Sequence, residues 1–405
     1  AQDTPAALSD KLERLQEQVE VHTAQIAEHA QTKVESDARF RVKLSGILLA
    51  NTFFNSHDTS LNDVPLIAPA PGAITRKNNF GASLRQSRIG LTMEGPRLGN
   101  ALGNARLGAE AEFDFWAGDF PDVNGLFRIL TASTRLDWER TSLIVGQRQP
   151  MISPLNPTSL AAYWFPALTA AGNLGQWRPQ IMLEHRAPLN ESSQFIAQAG
   201  LLMPFGETLQ ETTIEGGLGY QSRLAYRHEA TQDRPLEIGL GGYLHRRALP
   251  LARNINSWAL TGDWQAPLGS RVRLTGEAYY GQAISLGEPT VRADRVYAAN
   301  GLITRQAVTV RGVRSAGGWA QLALRAHARL EFNLAYGQND PRNADINAGA
   351  RNTGTRYKNQ AASANFIWQA QQNFLISLEF RRLLTHYPTA RQTGNHLNLA
   401  FGYVF

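Results

Sequence analysis

The chain of 405 residues contains no cysteine. This absence excludes disulfide scaffolds, thiol nucleophiles and Cys-ligated zinc. The chain also lacks any run of about 18 apolar residues, which excludes transmembrane helices. Charged residues are scarce at 18%, whereas glycine is plentiful with 35 residues, and this composition fits neither a disordered chain nor a helical membrane protein.

Lysine is rare as well, so arginine supplies most of the positive charge. Five of the 40 basic residues are lysines, which leaves 40 − 5 = 35 arginines against 34 acidic residues and a formal net charge of +6. Arginine keeps its charge at every relevant pH and binds carboxylate or phosphate through two hydrogen bonds. The composition therefore favours anionic partners. Nucleic acid is not expected among them, because the arginines alternate with apolar residues instead of clustering in one exposed segment.

The first 39 residues have a period of their own. They hold eight acidic and four basic residues, and their apolar or buriable residues recur at spacings of 4, 3, 4, 3, 4 and 3. This heptad pattern predicts a homo-oligomeric coiled coil over residues 1–39. A single amphipathic helix lying on its own domain is the alternative. The heptad places Leu12, Val19 and Ile26 at position a, and Leu8, Leu15, His22 and His29 at position d.

From residue 40 onward the period changes to 2, which is the period of a β-strand. In residues 105–116 the odd positions are apolar, whereas most even positions are charged or polar. Many such segments are long enough for a bilayer, which requires tilted strands of about 9 to 11 residues. The predicted strands are 40–54, 84–95, 104–116, 127–139, 142–149, 178–186, 194–203, 214–228, 235–246, 255–266, 270–282, 318–327, 329–338, 358–370, 373–384 and 394–405.

The connections between these segments alternate strictly between long and short. Residues 55–83 and 150–177 are examples of long connections, and residues 140–141 and 371–372 are examples of short ones. Long outer loops and short periplasmic turns are typical of outer-membrane barrels. The sequence therefore predicts an all-β fold, a sixteen-stranded antiparallel transmembrane β-barrel over residues 40–405, preceded by an α-helical coiled coil.

The last strand is the most specific piece of the sequence. One of its faces carries Leu397, Leu399, Phe401, Tyr403 and the terminal Phe405. This strand resembles the final strand of the Gram-negative outer-membrane porins, which ends with an aromatic residue. Residues 87–91 and 145–147 also resemble early porin strands. Together with the heptad segment, the chain resembles the DcaP-like trimeric porins, which carry a periplasmic coiled coil ahead of a sixteen-stranded barrel.

The resemblance implies a homotrimer in the outer membrane, in contact with lipid and lipopolysaccharide, with its N-terminal segment in the periplasm. No signal peptide is visible, and the start at Ala1 and Gln2 is compatible with a cleaved, mature product. Small anionic or neutral hydrophilic solutes would diffuse passively through the barrel. The alternative is an envelope structural protein whose coiled coil tethers the outer membrane to the cell wall, with peptidoglycan as its partner.

Selectivity in a porin depends on the lumen and on a loop folded into it. Residues 151–176 follow the fifth predicted strand, and the resemblance implies that they form this constriction loop. General porins commonly place carboxylates there, facing an arginine ladder across the pore. In this chain Arg140 to Leu183 contains no Asp or Glu, which argues against a preference for cations and favours anions such as carboxylates.

The alternation places basic side chains of the first five strands inside the barrel. Arg88 and Arg148 are expected near mid-height, where they would attract the solute, whereas Arg106 and Arg135 are expected nearer the periplasmic rim. Alternatively, these arginines only pair with carboxylates of the same strands, namely Glu94, Glu110, Glu112, Asp114 and Asp137. Aromatic residues of the loop either line the solute path or anchor the loop to the wall. The candidate pore residues are Lys43, Arg88, Arg106, Arg135, Arg148, Tyr163 and Trp164.

Motifs of catalysis and cofactor binding are missing from the sequence. It has no G-x-x-x-x-G-K phosphate loop, no H-E-x-x-H zinc helix and no G-x-S-x-G nucleophile elbow. The nine histidines are scattered along the chain. We therefore expect no enzyme activity, no catalytic residue, no cofactor and no metal ion.

Overall fold

The computed structural model describes residues 33–34, 41–59, 61–73, 76–117, 126–163, 165–204, 217–229, 235–249, 253–284, 296–297, 310–347 and 356–405. Within them the chain forms a closed antiparallel barrel of sixteen strands. In chain order these are β1 (Arg41–His57), β2 (two segments, Lys77–Ser83 and Arg88–Arg97), β3 (Arg106–Ala117), β4 (Leu126–Asp137), β5 (Thr141–Arg148), β6 (Arg178–Pro188), β7 (Ser193–Leu202), β8 (Gly219–His228), β9 (Leu236–Leu249), β10 (Arg253–Pro267), β11 (Val272–Gln282), β12 (Arg314–His327), β13 (Leu330–Pro341), β14 (Lys358–Gln371), β15 (Phe374–His386) and β16 (Arg391–Val404).

A few short elements lie outside the barrel strands. The two-residue strand Lys33–Val34 pairs with β1, and Val296–Tyr297 pairs with Val310–Arg311. Among the described residues no helix has both the length and the apolar character needed to cross a membrane. Within the described ranges, the helical elements are two single 3-10 turns, Asn100–Leu102 and Thr169–Ala171, and the short helix α1 (Asn343–Asn347).

Each barrel strand pairs with its neighbour in sequence, and β1 pairs with β16 to close the barrel. In the closing pair, Asn51 of β1 lies opposite Ala400 of β16. The prediction of sixteen strands is therefore confirmed. The coiled coil predicted for residues 1–39, with its heptad residues Leu8 to His29, lies outside the described residues apart from Lys33–Val34.

The two faces of the wall differ as the alternation predicts. In β16 the side chains of His396, Asn398 and Ala400 are buried inside the barrel, whereas Leu397 and Tyr403 are 43% and 50% exposed on the outside. The same pattern recurs around the barrel, so its outer surface is a band of apolar residues. Such a band is what a bilayer requires of a barrel wall.

β2 is interrupted, which is a difference from the single strand predicted at residues 84–95. At residues 84–87 the chain leaves the ladder. Here the side chain of Ser87 replaces the backbone of β2 as the hydrogen-bond partner of Leu49. Ser87 Oγ accepts a bond of 2.9 Å from the Leu49 N–H and donates one of 3.4 Å to the Leu49 carbonyl. The break turns Gln86 into the barrel, where its side chain is fully buried.

The described residues of two long connections fold into the barrel: the first loop (residues 58–76) and the inner loop (residues 149–177). In the first loop, the Ala68 N–H donates a hydrogen bond of 2.9 Å to Thr385 Oγ1 of β15. Both loops share one apolar cluster with the wall, so together they fill part of the lumen. Its buried members are Val64, Leu66, Ala68, Trp116, Ala162, Ala167, Leu168, Ala170, Ala171, Trp319, Ala335, Ala361 and Leu383.

Candidate pore constriction

The inner loop crosses the lumen and attaches to the far wall. The Thr158 N–H donates a hydrogen bond of 2.9 Å to Gln321 Oε1 of β12. On β14, Asn359 Nδ2 donates one of 2.9 Å to the Ala170 carbonyl. Because the loop packs against this side, the open part of the lumen lies along the opposite wall.

Two buried wall carboxylates hold the loop, which has no acidic residue of its own. Glu277 of β11 accepts hydrogen bonds of 2.6 Å from Ser153 Oγ and of 2.8 Å from the Leu155 N–H. Glu379 of β15 accepts one of 2.5 Å from Ser159 Oγ. Buried carboxylates require such donors, since an unpaired buried charge is very costly. These acidic groups therefore fix the loop and do not line the passage.

The tip of the inner loop (residues 161–163) is hydrogen-bonded to the wall at the break of β2. Gln86 Oε1 accepts a hydrogen bond of 2.7 Å from the Tyr163 N–H, and Gln86 Nε2 donates one of 3.4 Å to the Ala161 carbonyl. Two residues further on, the Arg88 guanidinium donates to the Tyr163 carbonyl and lies 4.3 Å above the Tyr163 ring. The loop tip thus also fixes the position of Arg88.

Between the loop and β2 to β7 lies a cavity of about 390 Å³. The loop side contributes Gln149, Pro150, Asn156 and Trp177, none of which is charged. The wall side contributes four arginines and three glutamates, so the charged lining sums to 4 − 3 = +1. These charged residues are Arg88, Arg135, Arg148, Arg186, Glu110, Glu112 and Glu184.

Each arginine of the cavity has a carboxylate near it. The charged groups are 3.2 Å apart for Arg88 and Glu112, and 3.5 Å apart for Arg148 and Glu110. The other two pairs are Arg135 with Asp137 at 2.6 Å and Arg186 with Glu184 at 2.5 Å. Two more carboxylates were expected to pair with these arginines, Asp114 and Glu94. Asp114 pairs with Arg128 instead, and Glu94 does not line the cavity. The carboxylates thus hold the arginine side chains in position, and the arginines still line the cavity.

The candidate pore residues fall into three groups. Arg88, Arg135 and Arg148 line the cavity. Lys43 and Arg106 lie on the lumen face opposite Thr92 and Asp137, closer to the short turns, and they do not line it. Tyr163 supports Arg88, whereas Trp164 lies outside the described residues.

Arg135 reaches the cavity because its neighbour on β3 has no side chain. A Cβ atom at Gly108, which lies opposite Arg135, would be 2.9 Å from Arg135 Cγ. The arginine side chain therefore lies across Gly108. Arg106 has Asp137 opposite it on β4 and no such gap beside it.

Sequence reasoning missed several residues of the site. Arg186 and Glu184 lie on the inward face of β6, and the alternation of that strand could have identified them. Trp177 lies at the end of the inner loop, with its ring 5.4 Å from the Arg88 guanidinium and 5.9 Å from that of Arg128. No local pattern marks Trp177, because its role depends on where the loop packs. In the described part of the chain no group of three His, Asp or Glu side chains is arranged to hold a metal ion.

Comparisons with known proteins give structural relatives only. No protein-family model and no curated protein matches the chain. Among solved structures, the outer membrane channel DcaP of Acinetobacter baumannii is similar over 92% of this chain and 99% of its own, with a TM-score of 0.71 and 17% identity. The anion-selective porin from Comamonas acidovorans covers 90% of this chain and all of its own, with a TM-score of 0.59 and 13% identity.

A third structure, Salmonella typhi OmpF in complex with daunomycin, is similar over 92% of this chain and 100% of its own, with a TM-score of 0.56 and 11% identity. The first of the three is described as an outer membrane channel and the second as a porin. At these identities the likeness concerns the fold. The chain has the fold of the outer-membrane porins, as the resemblance of its sequence predicted.

Proposed function

We propose that the protein is an outer-membrane porin that lets small hydrophilic solutes diffuse passively, with a modest preference for anions such as carboxylates. The observation that carries this proposal is the passage between the inner loop and β2 to β7, lined by four arginines and three glutamates. The porin fold and the apolar outer band support the outer-membrane position. The second solved structure above is itself an anion-selective porin.

The preference follows from where the charges sit. In porins that place carboxylates on the loop, a solute passes between opposite charges. Here the loop side is neutral and the wall is slightly positive, so the field attracts anions without trapping them. Arg88 and Arg148 would meet the solute's carboxylate, since a guanidinium matches its geometry. Arg135 and Arg186 would continue this path toward the periplasm.

The oligomeric state is a second part of the proposal. We infer a homotrimer in which the segment 1–39 forms a periplasmic coiled coil. One similar solved structure, OmpT, an outer membrane protein of Vibrio cholerae, is described as a trimer form. It is similar over 91% of this chain and 100% of its own, with a TM-score of 0.52 and 10% identity. Lys43 and Arg106 would then lie at the periplasmic exit.

The test is the reversal potential and step conductance of the purified protein in a planar bilayer under a KCl gradient. We expect triplet steps and an anion-selective potential. The variant Arg88→Ala/Arg148→Ala changes the lining from +1 to 2 − 3 = −1, so its potential should move to the cation side. Arg329→Ala, in the exposed turn between β12 and β13, is the matched control and should leave the potential unchanged.

Two outcomes would overturn parts of this proposal. Cation selectivity of the unchanged protein would exclude the anion preference but would still agree with a porin function. If the barrel does not conduct, the porin function itself is excluded. It would favour the structural tether, which could then be tested by deleting residues 1–37 and measuring envelope integrity.

A further inference from the structure

The four arginines that line the cavity differ in whether their hydrogen-bond donors are already in use. Three of them donate to carboxylates of the wall at distances of 2.5 to 3.2 Å: Arg88 to Glu112, Arg135 to Asp137 and Arg186 to Glu184. For Arg148 the nearest carboxylate oxygen belongs to Glu110 and is 3.5 Å away. No group in the described part of the chain accepts a hydrogen bond from the Arg148 guanidinium, and the side chain is 29% exposed. Its donors are therefore available to a solute.

An aromatic ring lines the same cavity as this guanidinium. Arg148 lies opposite Arg178 at the start of β6, and Trp177 directly precedes Arg178. The Trp177 side chain is partly exposed and lines the cavity. The Arg88 guanidinium is 5.4 Å from the centre of the Trp177 ring, compared with 4.3 Å from that of Tyr163. The Trp177 ring is therefore less closely covered than that of Tyr163, and it remains accessible from the cavity.

The lining on the loop side of the cavity is mostly apolar. Besides Trp177 it includes Pro150, Met151 and Pro154 of the inner loop, and the wall adds Met182. The cavity volume of about 390 Å³ is within the range of small-molecule sites, which combine an apolar lining with a few placed polar groups. A solute that matches this lining has an apolar body and an anionic group at one end.

A second anionic group on the solute would have no comparable partner. The other three arginines of the cavity are already bonded to carboxylates. Glu110 and Glu112 of β3 also line the cavity, with 38% and 33% of their side chains exposed. A second carboxylate held beside Arg148 would approach these like charges, which repel it. The lining therefore fits one carboxylate better than two.

We propose that Arg148 and Trp177 form a binding site for aromatic monocarboxylates within the passage. The Arg148 guanidinium holds the carboxylate through two charge-assisted hydrogen bonds, the strong geometry of this pair. The aromatic ring of the solute packs against Trp177, as offset or edge-to-face ring pairs do. The inference rests on the porin function proposed above, and it specifies which carboxylates the passage prefers and which residue recognises their apolar part.

The test measures how potassium benzoate, acetate and succinate reduce the KCl current through the purified protein in a planar bilayer. For the unchanged protein we expect half-reduction at a benzoate concentration at least about threefold below that of either aliphatic acid. Trp177→Leu should raise this benzoate concentration about threefold to tenfold, the contribution of an aromatic pair, and leave that of acetate unchanged. Trp368→Leu removes an indole that is 46% exposed on the outer face of β14, and it should behave like the unchanged protein.

Two further measurements examine the role of the charge. Arg148→Gln should weaken the effects of benzoate and acetate alike, because both acids lose the partner of their carboxylate. Benzyl alcohol, which has the ring without the charge, should reduce the current of the unchanged protein only at concentrations well above those of benzoate.

Four results would overturn this inference. The first two are equal effects of benzoate and acetate on the unchanged protein, and a stronger effect of succinate than of benzoate. The others are an unchanged benzoate preference in Trp177→Leu, and an effect of benzyl alcohol equal to that of benzoate. Failure of the porin function is distinguishable from all of these, because it would appear as a missing KCl current in the unchanged protein before any acid is added.

Discussion

Gln86 and Tyr163 are joined inside the barrel by a hydrogen bond of 2.7 Å that runs from the Tyr163 N–H to Gln86 Oε1. Gln86 reaches the loop tip only because β2 breaks at residues 84–87, where Ser87 replaces the lost ladder bonds. Arg88, at the start of the next strand segment, contacts the carbonyl of the same tyrosine. One interruption of the wall therefore fixes both the loop tip and the first cation of the passage.

Replacing Gln86 by Ala should loosen the loop tip. The variant loses the bonds to Tyr163, Ala161 and Asn51. Each buried hydrogen bond contributes about 0.5–1.5 kcal/mol. We expect brief openings of larger conductance and increased current noise in single-channel recordings. Gln360→Ala, on the outer face of β14, should record like the unchanged protein. A noiseless Gln86→Ala channel of unchanged conductance would show that the tip is held by its apolar contacts alone.

Gly172 should be equally sensitive, for a backbone reason. It has a φ of +104°, and a Cβ atom there would lie 2.3 Å from the Gly318 carbonyl oxygen and 2.5 Å from that of Gln338. These atoms belong to the ladder of β12 and β13 and cannot move aside. A strained backbone of this kind costs about 1–3 kcal/mol before the clash is counted.

Gly172→Ala should therefore lift the inner loop from the wall and raise the mean conductance. The measurement is the step size in a planar bilayer, with accessibility of the loop to protease as a second readout. Gly99→Ala is the control, because a Cβ atom at that position meets nothing within 4 Å. Equal conductance of the two variants would contradict the proposed packing of the loop.

The strands could be predicted from sequence because each one is specified locally. A period of 2 determines which side chains face lipid, as Leu397 and His396 illustrate on β16. The break of β2 escaped this reasoning, because the alternation continues through Ser87 and Arg88 while the backbone leaves the ladder. Only the position of Leu49, 38 residues away, explains why Ser87 can substitute for the ladder.

The candidate site was predictable only in part. Arg88, Arg135 and Arg148 could be found because their strands assign them to the lumen. Trp177 could not be found, because its place in the cavity depends on how the inner loop packs. That packing relies on contacts between residues more than a hundred positions apart in the sequence, such as Asn51 and Leu160. Long-range packing of an irregular loop leaves no periodic signal in the sequence.

The carboxylates under the inner loop should differ in their effect on stability. Glu379 pairs with Arg381 at 2.6 Å, and both side chains are at most 2% exposed. Removing one partner of a buried pair costs about 3–5 kcal/mol, because the other charge stays buried without compensation. Glu277 has no basic partner within the described residues, and its acceptor role toward Ser153 can be kept by an amide.

Glu379→Gln should therefore lower the temperature at which the folded form unfolds in a gel-shift assay much more than Glu277→Gln. Arg381→Met added to Glu379→Gln should recover most of the loss, since it removes the uncompensated charge. Equal losses for the two single variants would mean that hydrogen bonds to the loop, and not the ion pair, determine the cost.

The connection between β13 and β14 should be sensitive to acid in a defined range. Asp345 in α1 accepts bonds of 2.8 and 2.7 Å from the Arg314 guanidinium, which together with the Arg314 N–H lower the pKa of this carboxyl from 3.8 to about 2. A lowered pKa means that the folded form binds protons less readily than the unfolded one. The stabilisation is therefore complete above pH 3.8 and is lost as the pH falls through about 2.

Pepsin, which cleaves at these pH values, can report the change. At pH 3 the unchanged protein should resist cleavage within α1, because Asp345 is still ionised and bound to Arg314. Asp345→Asn should be cleaved faster at pH 3, since the amide cannot form the ion pair. At pH 1.5 the two proteins should become similar, because Asp345 is then protonated as well. Identical cleavage of the two proteins at pH 3 would mean that Arg314 does not hold α1, and that apolar contacts such as that of Ile346 with Val313 are sufficient.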